Sequence, residues 1–165
     1  MKRLILMAAL VAGPALAQDD MVFDDSIVGR CVQAAADAGA AEACIGKAAD
    51  DCMTRNPGGE STYGMNFCIG QEAAVWDGLL NAEYQRVMAS DKEIDAQTKA
   101  DGYGAPELAP ALKAMQRAWI AYRDTTCTYE ASQWGGGTGA GPAYAGCMMR
   151  LTAMQTLYLR DTGPL

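Results

Sequence analysis

Glu72 and Asp77 are the residues of this sequence whose types and spacing come closest to a catalytic pair. Paired carboxylates cleave glycosidic bonds and usually lie about 5 to 9 Å apart across a cleft, on different elements. Here both acids fall within "EAAVWDGLLNAEY", which has the apolar spacing of a helix. Two acids five residues apart on one helix point in quite different directions. An enzyme acting on glycans is therefore an alternative only, and we predict no catalytic residue.

That segment and a second one, "AMQRAWIAYRDTTC" at residues 114–127, each carry a stripe of polar and aromatic residues. The spacing within each stripe places its members on one face of a helix. Because buried polar groups need partners, we predict that the two stripes face each other as a structural polar network. Its predicted members are Glu72, Asp77, Asn81, Tyr84, Gln116, Trp119 and Arg123.

Arg123 is the predicted centre of that network. Its guanidinium is expected to pair with Asp77 or Glu72, since one carboxylate satisfies several of its donors at once. Tyr122 is expected to add buried area. Asp124, rotated by about 100° from Arg123, is expected to be the more exposed of the two.

The chain contains no histidine, so it lacks the commonest general base and the commonest metal ligand. Its six cysteines are an even number, which in an oxidising compartment predicts three disulfides, although spacing alone leaves 15 pairings. Zinc is the rival interpretation, but no CxxC pair is present, and we predict neither a metal site nor a cofactor. Pairing of sequence neighbours would suit the predicted turns: Cys31 with Cys44, Cys52 with Cys68, and Cys127 with Cys147.

The first 17 residues have the pattern of a secretory signal peptide: a basic head, a short apolar run and small residues before a cleavage point after Ala17. We therefore expect a periplasmic or secreted protein without a membrane anchor. Removing Lys2 and Arg3 takes the formal charge from −7 to −9, because residues 1–17 contain no acid. Such a chain repels nucleic acid and anionic membranes and attracts a basic partner.

The remaining sequence favours helices almost throughout, since Ala, Met, Gln, Glu and Leu dominate and strand-like alternation is missing. The predicted fold is all-α: a small disulfide-bonded helical bundle with an N-terminal helical hairpin. We divide the chain into the signal peptide (1–17), the hairpin (18–51) and a helical domain (52–165). Five helices are expected. Three are predicted at about 26–36, 66–90 and 143–160. A short helix after the first one ends at about 53, and the helix before the glycine loop ends at about 132. Four methionines are expected to fill the core: Met115, Met148, Met149 and Met154.

The segment "WGGGTGAGP" predicts a glycine-rich loop between the last two helices. It lacks the Lys-Ser/Thr pair of a phosphate-binding loop and does not follow a strand. Trp134 fits a core position at a helix end better than an exposed anchor. Exposed loops often bind partners, and the candidate partner-binding residues are Trp134, Gly135, Gly136, Gly137 and Thr138.

Taken in order, these residues resemble the LprI-type lysozyme-inhibitor domain of exported bacterial proteins, over about residues 52 to 160. The resemblance rests on Cys68, Glu72, Asp77, Leu80, Asn81, Tyr84, Gln116, Trp119, Tyr122, Arg123, Asp124, Cys127, Gly135, Gly136, Cys147, Leu151 and Thr152. The family often has an arginine where this chain has Gln155. The lipid-bearing cysteine of the family's namesake is also missing here.

The resemblance implies a helical, disulfide-bonded envelope domain that binds a protein rather than catalysing a reaction. The founding member is associated with binding and inhibiting lysozyme, and most relatives have no established activity. Our expectation is a soluble periplasmic binding module that inhibits lysozyme by protein–protein contact. The alternative is a structural or interaction protein of the envelope that never meets lysozyme.

Overall fold

Every regular element in residues 21–102 and 104–162, the residues that the computed structural model describes, is an α-helix. The all-α prediction is confirmed for this part of the chain. The predicted signal peptide, residues 1–17, lies outside the described residues. The helices are α1 (Ser26–Ala34), α2 (Ala38–Glu42), α3 (Lys47–Arg55), α4 (Thr62–Ala100), α5 (Leu108–Ser132) and α6 (Ala140–Asp161).

The long helix α4 extends beyond its predicted limits at both ends. It begins at Thr62 because the Ser61 hydroxyl caps it, accepting a hydrogen bond from the Gly64 N–H at 3.1 Å. Its far end continues through "DKEIDAQTKA", whose residues are mostly good helix formers. It stops at Gly102, which has a φ of +77°, the left-handed conformation that commonly follows a helix end.

The helices α4, α5 and α6 form a bundle, with α6 running parallel to α4 and antiparallel to α5. The hydroxyl of Thr156 on α6 donates to the Trp76 carbonyl of α4 at 3.2 Å. On the other side, the Gln155 amide of α6 donates to the Gln116 side chain of α5 at 3.0 Å. Contacts between α4 and α5 are fewer than those that either makes with α6. The last helix is therefore the central element of the bundle.

The N-terminal hairpin shares a core with the bundle. Val28 of α1 and Ala41 of α2 are fully buried in one cluster with Trp76 of α4 and Met149 of α6. Ser26 is the first residue of α1 and donates its N–H to the Asp24 carboxylate at 3.0 Å. A second cluster lies further along the bundle and consists of Leu80, Val87, Leu112 and Leu159.

The methionine prediction holds for three of the four residues. Met149 is buried. Met115 is half-buried against the second cluster, and Met148 is half-buried against the Cys127–Cys147 disulfide. Met154 is 47% exposed. It shares the outer face of α6 with Tyr158, one turn later, because residues four apart lie on the same side of a helix.

Three disulfides join cysteines that are neighbours in sequence. Their Cα–Cα distances are 5.8 Å for Cys31–Cys44, 5.6 Å for Cys52–Cys68 and 5.3 Å for Cys127–Cys147. The first ties α1 to the turn between α2 and α3, the second ties α3 to α4, and the third ties α5 to α6. In the chain-entropy picture, closing loops of these lengths stabilises the fold by about 3 kcal/mol each.

The carboxylate of Glu72 on α4 caps the start of α3 inside the protein. Glu72 is fully buried, and its oxygens accept the Gly46 and Ala49 N–H groups, each at 2.7 Å. A third hydrogen bond comes from the Trp76 indole at 2.9 Å. The first N–H groups of a helix have no partner within it and carry partial positive charge. The buried negative charge is therefore compensated by backbone dipoles.

Two more residues of α4 cap the neighbouring helices. Asp95 accepts the Leu108 and Ala109 N–H groups, at 2.7 and 2.9 Å, at the start of α5. Arg86 donates to the Leu159 carbonyl at 2.9 Å, and to two further carbonyls at the end of α6. Each charge has the sign that the adjacent helix end favours. A single helix thus fixes the ends of three others.

Replacing Glu72 by glutamine should lower the free energy of unfolding by about 3 kcal/mol or more. The amide group would turn an N–H donor toward backbone donors, and hydrogen bonds to a charged group contribute about 1.5–3 kcal/mol each. Chemical denaturation followed by circular dichroism measures the change. The control is Glu93→Gln on the exposed side of the same helix; equal effects of the two substitutions would contradict the capping role.

Candidate functional site

The predicted network between α4 and α5 does not form. Asp77 and Asn81 are exposed on α4, and the Asn81 amide donates to Asp77 at 3.0 Å within the same helix. Glu72 points the other way, toward α3. Both helices pack against α6, α4 at Trp76 and α5 at Gln116, and the face of α4 that carries Asp77 is left in solvent.

Arg123 pairs with the residue next to it rather than with α4. Its guanidinium lies 2.9 Å from the Asp124 carboxylate and stacks over the Trp119 ring, 4.9 Å from the ring centroid. The side chain of Arg123 is 15% exposed and that of Asp124 is 50% exposed, in the predicted order. Tyr122 is 58% exposed, so the expectation that it adds buried area is wrong.

The other members of the network serve the bundle in different ways. Gln116 is bonded to Gln155 of α6, so the position where the family often has arginine joins α5 to α6 here. Tyr84 and Trp119 pack against the second core cluster from α4 and α5. The stretch at residues 114–127 contacts α6 through Gln116 and Cys127, and the second core cluster through Trp119.

The glycine loop between α5 and α6 presents Trp134 to solvent. Trp134 is 55% exposed, so the preference for a core position is wrong. Its ring lies against Gly139, where an added Cβ would come within 2.2 Å of the ring carbons. Gly135 and Gly136 have φ values of +57° and +82°, which only glycine adopts readily. The ring is thus supported from beneath by the loop itself.

The base of the loop is held on both sides. The Cys127–Cys147 disulfide and an ion pair of 2.8 Å between Arg150 and Glu130 join α5 to α6 just below it. Gly141, in the first turn of α6, lies against the Asn66 side chain of α4, where an added Cβ would approach within 2.8 Å. The loop therefore projects from a braced end of the bundle.

This end of the bundle carries no charged residue over residues 61–71 and 131–149. We call these two segments the uncharged end. Three of its aromatic side chains are strongly exposed: Tyr63 at 58%, Trp134 at 55% and Tyr144 at 40%. Tyr63 lies one turn before Asn66, and Tyr144 one turn after Gly141. The sequence analysis did not single out either tyrosine. The two long stretches without a charged residue were the feature of the sequence that could have indicated them.

The opposite end of the bundle has an apolar groove of about 410 Å³ between α4, α5 and α6, with Ile94, Leu108 and Tyr158 among its lining residues. Asp91 also lines it. Burial raises the pKa of the Asp91 carboxyl, and the Asp95 carboxylate raises it further.

Within the described residues, no group of three potential metal ligands is present. No helix there is long and apolar enough to span a membrane.

Asp91→Asn should raise the stability of the protein at neutral pH. A carboxyl whose pKa is higher in the folded state than in the unfolded one weakens folding as the pH rises through that pKa. The gain should therefore vanish at a pH low enough to protonate Asp91 in both states. Thermal melts across the acid range measure this, with the exposed Asp77→Asn as control. A gain that is independent of pH would contradict the electrostatic cause.

Arg123→Ala should cost only about 1–2 kcal/mol. A partly exposed ion pair contributes at most about 1 kcal/mol, and stacking on the Trp119 ring adds roughly 0.5–1 kcal/mol. This is less than the loss of several kcal/mol expected if Arg123 neutralised a buried carboxylate. Denaturant unfolding of Arg123→Ala beside Asp124→Ala measures both contributions, and a loss above about 3 kcal/mol would show an unrecognised buried partner.

The chain is similar in sequence to a known family and to two proteins of other bacteria. Residues 52–159 match the family model described as lysozyme inhibitor LprI. An uncharacterized protein of Rhizobium meliloti (strain 1021) is 35% identical over 105 residues, which cover 61% of this chain and 73% of the relative. An uncharacterized 17.7 kDa protein of Rhodobacter capsulatus is 30% identical over 118 residues, covering 71% of this chain and 72% of the relative. No solved structure matches the chain significantly.

The residues matched by the family model run from α3 to the last turn of α6. The chain belongs to the LprI lysozyme inhibitor family.

Proposed function

We propose that this protein is a periplasmic lysozyme inhibitor that acts by direct protein–protein contact. The observation that carries the proposal is the family match over residues 52–159, which covers α4, α5 and α6 almost entirely. The family is defined by inhibition rather than by a reaction, and its name implies a protein partner.

The charge of the chain supports a basic partner. After cleavage behind Ala17 the formal charge is −9, and many lysozymes are basic. Opposite net charges accelerate encounter and hold the partners together most strongly at low salt. The signal-peptide pattern of residues 1–17 supports a periplasmic location for the mature chain, where it would meet an enzyme that attacks the cell wall.

The surface proposed for contact is the loop of Trp134, Gly135, Gly136, Gly137 and Thr138. All five residues are exposed, and the base of the loop is braced by a disulfide and an ion pair. A rigid loop loses little conformational entropy on binding, so more of its contact energy appears as affinity. Tryptophan is also among the residues most enriched at the energetic centres of interfaces.

The oxidised mature protein should inhibit lysis of a peptidoglycan suspension by at least one of the c-type, g-type and i-type lysozymes at stoichiometric amounts. Loss of light scattering measures lysis. Protein that has been reduced, alkylated and separated from the reductant should lose the effect, because the three disulfides hold the bundle together. The separation step matters because residual reductant could inactivate a disulfide-bonded enzyme.

Absence of inhibition with all three lysozyme types would overturn the proposal. The envelope-interaction alternative would then be the better one. Capture of a single endogenous partner by the immobilised chain from periplasmic extract, at physiological salt, would support it.

A further inference from the structure

We propose that the uncharged end of the bundle is the part that enters the sugar-binding cleft of lysozyme, while the acidic remainder faces the enzyme's basic outer surface. This inference rests on the proposed function and deepens it, since it names the site on the partner and the face of this chain that fills it. It also makes the inhibition competitive with the glycan substrate.

The distribution of charge is the first argument. All of the chain's acidic residues lie outside residues 61–71 and 131–149, so the end that carries Trp134 is neutral within a strongly acidic protein. Lysozyme cleaves glycans with carboxylates inside its cleft. An acidic surface would be repelled by those groups, and burying like charges together is costly. Only a neutral face of this chain suits the cleft.

The shape of this end is the second argument. The Trp134 loop projects beyond the ends of α5 and α6, and the rings of Tyr63, Trp134 and Tyr144 are exposed beside it. A projecting loop fits a concave surface on its partner, as long loops of single-domain antibodies do. The apolar groove lined by Ile94 and Leu108 lies at the opposite end of the bundle.

The support of Trp134 is the third argument. Gly139 has an ordinary helical backbone conformation, with φ −71° and ψ −13°. Its glycine identity is therefore required by contact with the ring and not by the backbone: a Cβ there would overlap the ring carbons of Trp134. A neighbouring residue thus fixes the position of an exposed aromatic ring, which is what a preformed binding anchor needs.

Four substitutions test the inference. Trp134→Ala removes the anchor, and Gly139→Ala keeps the indole but displaces it. Tyr158→Ala is the control for the first, because Tyr158 is equally exposed (56%) at the other end of the bundle. Gly78→Ala is the control for the second, since it is the same substitution at an exposed position of α4, outside the uncharged end, with open space around the added methyl group.

We expect both Trp134→Ala and Gly139→Ala to weaken binding to the inhibited lysozyme at least about 10-fold, as for a central anchor residue. The loss should appear mainly in the dissociation rate, measured by surface plasmon resonance. Tyr158→Ala and Gly78→Ala should bind like the unmodified chain. Thermal melts by circular dichroism verify that each variant folds. If Trp134→Ala does not fold, Gly139→Ala still tests the role of the indole ring.

Competition with a sugar locates the contact on the enzyme. The probe is the trimer of N-acetylglucosamine, present at ten times its own dissociation constant for the lysozyme. If both ligands use the cleft, the apparent dissociation constant of this chain should rise about 11-fold. Titration of this chain alone with the trimer should give no binding.

The outcomes separate the inference from the proposed function. Inhibition by the unmodified chain with no competition by the trimer, or with undiminished binding of both loop variants, would overturn the inference and leave the proposed function intact. Binding of the trimer to this chain itself would also overturn it, because the aromatic end would then hold the glycan. Failure of the unmodified chain to bind any lysozyme would overturn both the inference and the proposed function.

Discussion

The buried carboxylate of Glu72 is the interaction on which the arrangement of the helices depends. A full negative charge without water is tolerated only when hydrogen bonds and opposite partial charges replace the solvent. Here the Gly46 and Ala49 N–H groups and the Trp76 indole supply them. The carboxylate can be satisfied only if the start of α3 lies against the middle of α4. The N-terminal hairpin follows from this, since α1 and α2 pack around the same core cluster.

The same logic extends along α4. Glu72 and Asp95 meet the starts of α3 and α5, and Arg86 meets the end of α6. Helix ends concentrate the unpaired backbone groups of a helical protein, and in this fold one long helix satisfies much of that demand. The charged residues of α4 therefore act as structural connectors. Their charges agree with the helix dipoles, so the net acidic charge of the chain is compatible with a well-ordered bundle.

The caps that α4 provides for its neighbours lie at Glu72 and beyond, whereas the exposed rings of Tyr63, Trp134 and Tyr144 lie near the starts of α4 and α6 and the end of α5. The Cys127–Cys147 disulfide and the Arg150–Glu130 pair lie between them. A partner could thus contact the loop without disturbing the core. The neutrality of this end also avoids burying charge at an interface, while the acidic remainder is available to attract a basic protein from a distance.

The sequence by itself determined what depends on local pattern. The helical class, the glycine loop and the family resemblance follow from composition, spacing and residue order, and the even number of cysteines predicted three disulfides while leaving their pairing open. Only the tertiary structure decided which faces meet. The stripes of Asp77 and Arg123 suggested a pair because the pattern cannot show that α6 lies against both helices. The partners of Glu72 were equally hidden, because a backbone N–H has no side-chain signature in the sequence. The exposure of Trp134 and its contact with Gly139 likewise depend on how the loop folds and not on either residue alone.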